Sequence, residues 1–283
     1  MRILAACGAL LVMVVTIPML VVGLDAPRAD AAPERRLPPV DVDLDYQLGG
    51  AYRPASNVGV VTRDWYSGRP MRRGYSICYV NAFQTQGDIP GIERPDEQGN
   101  WPRRLVLWRA GDDPNWPGEY PIDIRTPAKR KRAANWVRQM VQTCADKGFD
   151  AVEFDNLDTW TRFGDIDGVR KQIRKRHAVW YARLLVRHAH SLGLAVGQKN
   201  SSLLTARQSL DRIGFDFVVA EQCGTYRECH RYTRVFGNRV LAIEYDPASF
   251  AYTCNEIGGQ VAVVLRDVLL RPRSVEGHVF DTC

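Results

Sequence analysis

Apolar residues recur along this chain with two different periods. Short apolar runs, each followed by polar side chains, alternate with longer stretches in which apolar residues return every three or four positions. The first pattern is typical of buried strands and the second of amphipathic helices. We predict eight strands, at residues 58–62, 75–80, 120–124, 151–154, 194–197, 215–220, 240–243 and 260–265.

Helices are predicted between most of these strands. Thr126 is a good N-cap, Pro127 suits the first helical position, and apolar residues then recur at helical spacing up to Gly148. A second helix is predicted over about 169–192 and a short one over 203–210. Regular alternation of eight strands with helices predicts an α/β fold, the (β/α)8 TIM barrel. The first β-α unit is expected to be reduced, because residues 66–74 are too few for a crossover helix.

Polar side chains follow nearly every predicted strand. In a barrel the carboxyl ends of the strands meet at one face, so these side chains are expected to lie together there. They are Asp64, Asn81, Asp155, Lys199, Glu221 and Glu244. Asp155 follows the fourth predicted strand and Glu221 the sixth, which allows their carboxyl groups to face each other. Two opposed carboxyl groups are what glycoside hydrolysis requires.

The amino terminus resembles a targeting segment. An apolar run at residues 3–24 is followed by small residues at 29 and 31, which predicts a secretory signal over residues 1–31. The run is also long enough to be an uncleaved membrane anchor that faces outside. Residues 32–45 are rich in proline and predict a linker, so that residues 46–283 form the barrel domain. Either interpretation places the domain outside the cytoplasm.

Six cysteines follow the predicted signal, an even number that suits disulfide bonds in an oxidising compartment. They allow about 15 connectivities. Cys223 and Cys229 are nearest in sequence, and the other four could pair as Cys78 with Cys144 and Cys254 with Cys283. The net charge is +6, but the basic runs at 129–132 and 170–176 lie on helical patterns without interleaved aromatic residues. We therefore expect no nucleic-acid partner.

A set of short motifs occurs in a fixed order along the chain. They are Ile77-Cys78-Tyr79-Val80, Trp116-Pro117-Gly118-Glu119, Asp123-Ile124-Arg125, Gly148-Phe149-Asp150-Ala151-Val152-Glu153-Phe154-Asp155-Asn156, Gln198-Lys199-Asn200, Glu221-Gln222-Cys223 and Ile243-Glu244-Tyr245. Over about residues 46–283 this set resembles glycoside hydrolase family 114, the endo-α-1,4-polygalactosaminidase family. The resemblance implies a secreted, cofactor-free retaining enzyme that cleaves α-1,4-linked galactosamine polymers internally, with Asp155 and Glu221 as its catalytic pair.

Roles for individual residues follow from this resemblance. We assign Asp155 as the nucleophile, since a short carboxylate at a strand end is well held for attack, and Glu221, which has the longer reach, as the acid/base. An amino sugar is a cation, so acids in the cleft would help to hold it, and aromatic rings could stack on the sugar. The predicted substrate-binding residues are Asp64, Tyr79, Asn81, Glu153, Asn156, Asp158, Lys199, Glu244 and Tyr245; Asp246, Trp65 and Trp160 are further candidates. The enzyme is expected to be a monomer.

Three other functions remain open at this stage. The barrel could bind carbohydrate without turning it over, although binding alone requires neither Asp155 nor Glu221. It could hydrolyse another α-glycan. A metal-dependent hydrolase is a weaker hypothesis, because His188 and His190 lie two positions apart on a predicted helix and point to different faces.

Overall fold

Eight parallel strands form the centre of the molecule. The computed structural model describes residues 34–40, 42–86, 97–98, 101–163 and 173–283, and the predicted signal therefore lies outside the described residues. The strands are β1 Asp43–Tyr46, β2 Val58–Asp64, β3 Tyr75–Val80, β4 Ala151–Phe154, β5 Ala195–Lys199, β6 Phe217–Glu221, β7 Val240–Glu244 and β8 Ala262–Arg266. They pair in this order, and β1 lies next to β8, so the sheet is nearly closed. A short ninth strand, β9 at Phe280–Thr282, runs antiparallel to β8. The predicted TIM barrel is confirmed.

Helices follow most strands from β3 onward. They are α1 Pro127–Lys147, α2 Thr159–Arg162, α3 Lys175–Ser191, α4 Cys229–Phe236 and α5 Pro247–Thr253, with π-helical segments at Arg207–Ile213 and Cys254–Gly258, short 3-10 turns at Arg103–Leu105 and Trp108–Ala110, and a small hairpin of Glu97–Gln98 with Trp101–Pro102. The Thr126 side chain caps α1 by accepting the Lys129 N–H, and Gly148 ends the helix with φ 85°. Both ends of α1 were predicted from these residues.

The identity of one barrel strand was predicted wrongly. Residues 120–124 do not join the barrel: Pro121 and Ile122 make isolated antiparallel bridges, and a proline cannot donate to a sheet. Their place is taken by β1, whose first three residues lie inside the predicted linker, so the first barrel strand begins at Asp43. This strand has only four residues, too few for a clear apolar run. Because one strand is lost and one gained, Asp155 and Glu221 still belong to the fourth and sixth strands.

Crossover helices are missing from the first part of the barrel. In the described segments 47–57 and 65–74, which join β1 to β2 and β2 to β3, the chain forms no helix. The reduction predicted for the first unit therefore extends over two consecutive connections. The short helix predicted at 203–210 is displaced to the π-helical segment at Arg207–Ile213, and α4 and α5 are too short to show helical periodicity. The predicted start of the second helix near residue 169 lies outside the described residues.

Side chains alternate along each strand between the barrel interior and the layer beneath the helices. In β6, Phe217 and Val219 belong to the cluster inside the barrel, whereas Val218 and Ala220 pack against the helices. A Cβ at Gly197 would lie 2.7 Å from the Phe217 ring, so glycine there makes room for this ring. The same alternation directs positions 153, 155, 199, 221 and 245 inward, and position 244 outward.

Three disulfide bonds tie the barrel together. They join Cys78 to Cys144, Cys223 to Cys229 and Cys254 to Cys283, which confirms each suggested pair. The first links β3 to α1 and the third holds the chain end to the segment after α5. Such links stabilise a fold mainly by restricting the unfolded chain. None of the helices in the described part of the chain has the length and apolar character needed to cross a bilayer.

A buried ion pair closes the barrel between its first and last strands. Arg266 Nη1 lies 2.7 Å from Asp45 Oδ1, and both side chains are almost completely buried. Arg266 also donates to the carbonyl oxygens of Tyr46, Arg271 and Val279. One guanidinium thus connects β1, β8 and the loop that leads to β9.

Arg266→Leu is expected to lower the free energy of unfolding by about 3–5 kcal/mol, since it leaves the Asp45 charge buried without its cation. Urea unfolding of the variant measures this loss. The double variant Asp45→Asn with Arg266→Leu should be more stable than Arg266→Leu alone. Equal losses in the two variants would contradict an electrostatic origin and indicate lost packing instead.

Candidate active site

Three neighbouring strands end in the same backbone conformation at the mouth of the barrel. Asp155, Lys199 and Glu221 stand at the ends of β4, β5 and β6, and the residue after each has a positive φ: 61° at position 156, 47° at 200 and 56° at 222. Positive φ is uncommon outside glycine, and it clusters at functional sites where the surrounding structure enforces it. The three charged side chains that precede these residues meet in one cleft.

Lys199 lies at the centre of this cleft. Its Nζ is 3.5 Å from Asp155 Oδ1 and 3.4 Å from Glu221 Oε2, and its side chain is only 1% exposed. It also donates a 2.7 Å hydrogen bond to the Tyr46 hydroxyl and lies over the rings of Tyr46 and Tyr79. A fully buried lysine is costly unless it is paired, and here its partners are the two carboxylates predicted to be catalytic.

Asp155 is held in a defined orientation. Its Oδ2 accepts from the Tyr79 hydroxyl at 2.7 Å, and its Oδ1 accepts from the Asn156 N–H at 2.6 Å. Burial by itself raises the pKa of Asp155. The charge of Lys199 and the hydrogen bonds from Tyr79 and Asn156 outweigh burial, so the net effect is a pKa below the usual value. Asp155 is therefore ionised at neutral pH, as a nucleophile must be.

Glu221 faces the cleft from the other side of Lys199. Its Oε1 accepts from the Tyr245 hydroxyl at 2.5 Å and its Oε2 from the Asn200 amide at 3.0 Å. The Asn200 side chain also accepts the Glu221 N–H at 2.8 Å, which fixes the strand end and the carboxyl group together. The Glu221 side chain keeps 22% of its surface exposed, so it is oriented yet open to a ligand.

Glu153 lies deeper in the barrel than Asp155, Lys199 and Glu221. It is completely buried, and its Oε1 accepts from the Tyr46 hydroxyl at 2.5 Å, which in turn binds Lys199. Burial raises the pKa of Glu153 to about 7, although Lys199 and Tyr46 partly offset the effect. Through Tyr46, Glu153 is placed to support Lys199, and the substrate contact predicted for it stays a prediction.

Glu244 also has a supporting position. As the inward–outward alternation requires, it points out of the barrel and is completely buried. Its carboxylate accepts from the Gly224 N–H at 2.6 Å and from the hydroxyls of Thr225 and Thr253. The loop after β6 is thus fastened to β7 through Glu244. The substrate contact predicted for Glu244 stays a prediction.

The other predicted acids lie at the rim of the site. Asp158 Oδ1 is 3.3 Å from Arg162, which also binds Asn156 at 2.5 Å and Asp113 at 3.1 Å. This arginine therefore connects α2 to the segment before α1. Asp64, at the end of β2, accepts from the Tyr66 N–H and from the Gln86 amide, both at 2.7 Å. Within the described residues no hydrogen bond joins Asp64 to Asp155.

Predicted stacking residues have different positions. The hydroxyls of Tyr79 and Tyr245 hold the two catalytic candidates, while Trp65 and Trp160 are partly buried against the outer core. Asp246 is half-buried and caps α5 by accepting the Ser249 N–H. None of these side chains offers an open ring face as clearly as Trp116, which is 45% exposed.

Sequence reasoning missed four residues that complete the site. Tyr46 was hidden at the edge of the predicted linker, and Arg162 belongs to a helix of only four residues. Asn200 and Glu119 were visible within two of the ordered motifs. The amide of Asn81 donates to Glu119 Oε2 at 3.0 Å and accepts from Asn156 at 2.9 Å, which brings Glu119 into the neighbourhood of Asp155.

Several histidines and all six cysteines in the described part of the chain have structural partners. His190 Nε2 lies 2.8 Å from Asp216, and His177 Nδ1 accepts the Arg174 N–H. Among the described residues, the one group of His, Cys and acidic side chains compact enough for a metal ion contains Cys223 and Cys229. Their sulfurs form a disulfide bond and do not act as metal ligands.

An eight-stranded barrel with two oriented carboxyl groups across its mouth has the architecture of a TIM-barrel glycoside hydrolase. The model of glycoside-hydrolase family GH114 matches residues 25–283. The chain therefore belongs to family GH114 and is a glycoside hydrolase. A search of curated protein sequences gave no match.

Two solved structures share this fold. One is Aspergillus fumigatus Ega3 in complex with galactosamine, with 19% identity, a TM-score of 0.69, and coverage of 90% of this chain and 100% of that one. The other is the glycoside hydrolase domain of a PelA variant from Pseudomonas aeruginosa, with 13% identity, a TM-score of 0.55, and coverage of 82% and 97%. At these identities the likeness concerns the fold.

Proposed function

We propose that this enzyme cleaves α-1,4-linked galactosamine polymers internally by a retaining mechanism, with Asp155 as nucleophile and Glu221 as acid/base. The observation that carries the proposal is the arrangement of these two carboxyl groups on either side of Lys199. The galactosamine bound to the similar fold of Ega3 supports an amino-sugar substrate.

The proposed reaction has two steps. Asp155 attacks the anomeric carbon and forms a glycosyl ester, while Glu221 donates its proton to the leaving oxygen. Glu221 then takes a proton from water, which attacks the same carbon and releases Asp155. Glu221 can deliver and recover the proton because its carboxyl group is oriented by Tyr245 and Asn200 and is partly open to the cleft.

The spacing of the two carboxyl groups supports retention. Asp155 Oδ1 and Glu221 Oε2 each lie within 3.5 Å of one nitrogen, so they are no further apart than twice that distance. Retaining enzymes separate their carboxyl groups by about 5–5.5 Å, and inverting enzymes by about 6.5–9.5 Å to admit a water molecule. Most of the inverting range is therefore too wide for this site.

Action outside the cytoplasm is part of the proposal. Three disulfide bonds within one barrel suit an oxidising compartment. We propose that residues 1–31 direct export and that residues 43–283 form the active domain. A monomer remains the expected state.

Product analysis tests the proposed function. The domain is incubated with partially deacetylated α-1,4-galactosamine polymer, and proton NMR follows the anomeric form of the first products. We expect oligosaccharides whose new reducing ends are α. Products that begin as β would contradict retention. Absence of cleavage by a folded protein that still binds the polymer would favour the non-catalytic alternative, and cleavage of a different α-glycan would move the substrate assignment.

Trp116 is predicted to form a platform for a sugar of the polymer. It lies in a turn between two acids, Asp113 and Glu119. Asp113 forms an ion pair with Arg162, and Glu119 accepts a hydrogen bond from Asn81. Trp116→Ala should raise KM for the polymer by about 5- to 30-fold, the range expected for a lost aromatic contact with a cationic sugar. Trp180→Ala, which removes an exposed tryptophan from α3, is the matched control and should leave KM unchanged. Equal effects of the two changes would contradict a local sugar contact.

A further inference from the structure

We propose that Glu119 is the residue that selects the amino group of the sugar, an inference that rests on the proposed function. Sugar chemistry restricts where such a residue can lie. The amino group of galactosamine is on the carbon next to the anomeric carbon, which Asp155 attacks. The carboxylate that receives the ammonium group must therefore lie beside Asp155 and present a free oxygen to the cleft.

Glu119 meets the positional requirement. Its Oε2 is bound by Asn81, which also binds Asn156, and the Asn156 N–H donates to Asp155. Two amide side chains thus connect the carboxyl group of Glu119 to the predicted nucleophile. The charge of Asp155 is a main cause, after burial, of the raised pKa of Glu119.

Glu119 also has a free oxygen. Among the described residues its Oε1 accepts no hydrogen bond, and no lysine or arginine of that set lies within 4.0 Å of its carboxylate. The side chain is half-buried and is held by the Asn81 amide at 3.0 Å. It is therefore oriented, partly shielded from water and without a cation of its own. An ammonium group would supply that cation.

Other acids near Asp155 are less suited to this role. Glu153 is completely buried, and both oxygens of Asp64 already accept hydrogen bonds. Asp158 is more exposed, but Arg162 lies 3.3 Å away and its charge repels a second cation. Glu221 is engaged by Tyr245 and Asn200 and is needed for proton transfer. Of these described acids, Glu119 is the one suited to bind the ammonium group.

Binding of the ammonium group should release a proton. Burial and the charges of Asp155 and Asp113 raise the pKa of Glu119 to about 8, while Asn81 and Arg162 act in the opposite direction. Below that pH the free protein keeps Glu119 protonated. An ammonium group favours the ionised form, so the proton leaves when the amino sugar arrives.

Calorimetric titration with galactosamine, and with galactose as a neutral control, tests this inference. At about pH 6.5, titrations in buffers of different ionisation enthalpy measure the protons released on binding. We expect wild type to release close to one proton with galactosamine and none with galactose. Glu119→Gln keeps an acceptor for Asn81 but lacks the charge; it should weaken galactosamine binding on the order of 10- to 100-fold and leave galactose binding unchanged.

The outcomes separate this inference from the proposed function. Glu256→Gln, an exposed change of the same kind outside the cleft, should behave as wild type. If wild type binds galactosamine and cleaves its polymer but Glu119→Gln binds it equally well, the role of Glu119 is wrong and the proposed function stands. If wild type binds galactosamine without releasing a proton, the role is also wrong. If wild type neither binds galactosamine nor cleaves its polymer, both proposals fail.

Discussion

Replacing Asp155 by alanine is expected to lower kcat/KM for the polymer by about 10³-fold or more, because the glycosyl ester can no longer form. Glu221→Ala should cause a loss on the order of 10²- to 10⁴-fold, the usual contribution of a general acid. Tyr79 and Tyr245 would lose their carboxyl partners, so circular dichroism and thermal unfolding must first show that both variants are folded.

Azide distinguishes the two roles. In Asp155→Ala, azide can occupy the position of the lost carboxylate, attack an aryl α-galactosaminide oligomer opposite the leaving group and yield a β-azide. In Glu221→Ala, Asp155 still forms the glycosyl ester, and azide replaces the water that Glu221 normally activates, which yields an α-azide. The opposite pair of products would exchange the assigned roles. If both variants cleaved the polymer as fast as wild type, neither carboxyl group would have a catalytic role.

Lys199→Met should have the second large effect. The lysine is the common cation of Asp155, Glu221 and, through Tyr46, Glu153. Without it the pKa of Asp155 loses the strongest influence that lowers it. A smaller fraction of the nucleophile is then ionised at a given acidic pH. The acidic limb of the kcat/KM profile should therefore move to higher pH, with a loss of about 100-fold or more at neutral pH.

Stability of this variant provides an independent measurement. Carboxyl groups buried without a cation have a pKa above the value in the unfolded chain. Protons then bind the folded state more tightly, so the free energy of unfolding rises as the pH falls and decreases toward neutral pH. At neutral pH the loss should be about 3–5 kcal/mol. Lys131→Met, at an exposed position of α1, is the control. An unchanged acidic limb in Lys199→Met would contradict the electrostatic role.

Much of the barrel could be predicted from local patterns. The helix α1 carries its start and stop signals in Thr126, Pro127 and Gly148, and these signals act within a few residues of each other. Most strands were predicted because buried parallel strands are apolar almost throughout. The strand β1 was missed because a four-residue strand is recognised only through its pairing with β2, which lies elsewhere in the sequence.

The catalytic candidates could be found for a related reason. A polar residue that directly follows an apolar strand of a parallel barrel lies at the barrel mouth, and the conformation of the loops does not change this. Which of these residues face the ligand depends on which side of the strand each one occupies. The side is set by the register in which the strand pairs with its neighbours. Glu244 and Tyr245 are adjacent in sequence, yet one is fastened beneath a loop and the other holds Glu221.

The amino-acid sequence by itself determined the fold class and the two strands that carry Asp155 and Glu221, because apolar period and capping residues are local properties. It left about 15 disulfide connectivities open, and the structure decided among them. Only the tertiary structure decided that Lys199 lies between the two carboxylates, that Tyr46 and Glu153 support it from below, and that Glu119 reaches the same cleft. Those contacts join residues far apart in the chain. Their energies depend on burial and on distances of a few ångströms, which exist only once the barrel has closed.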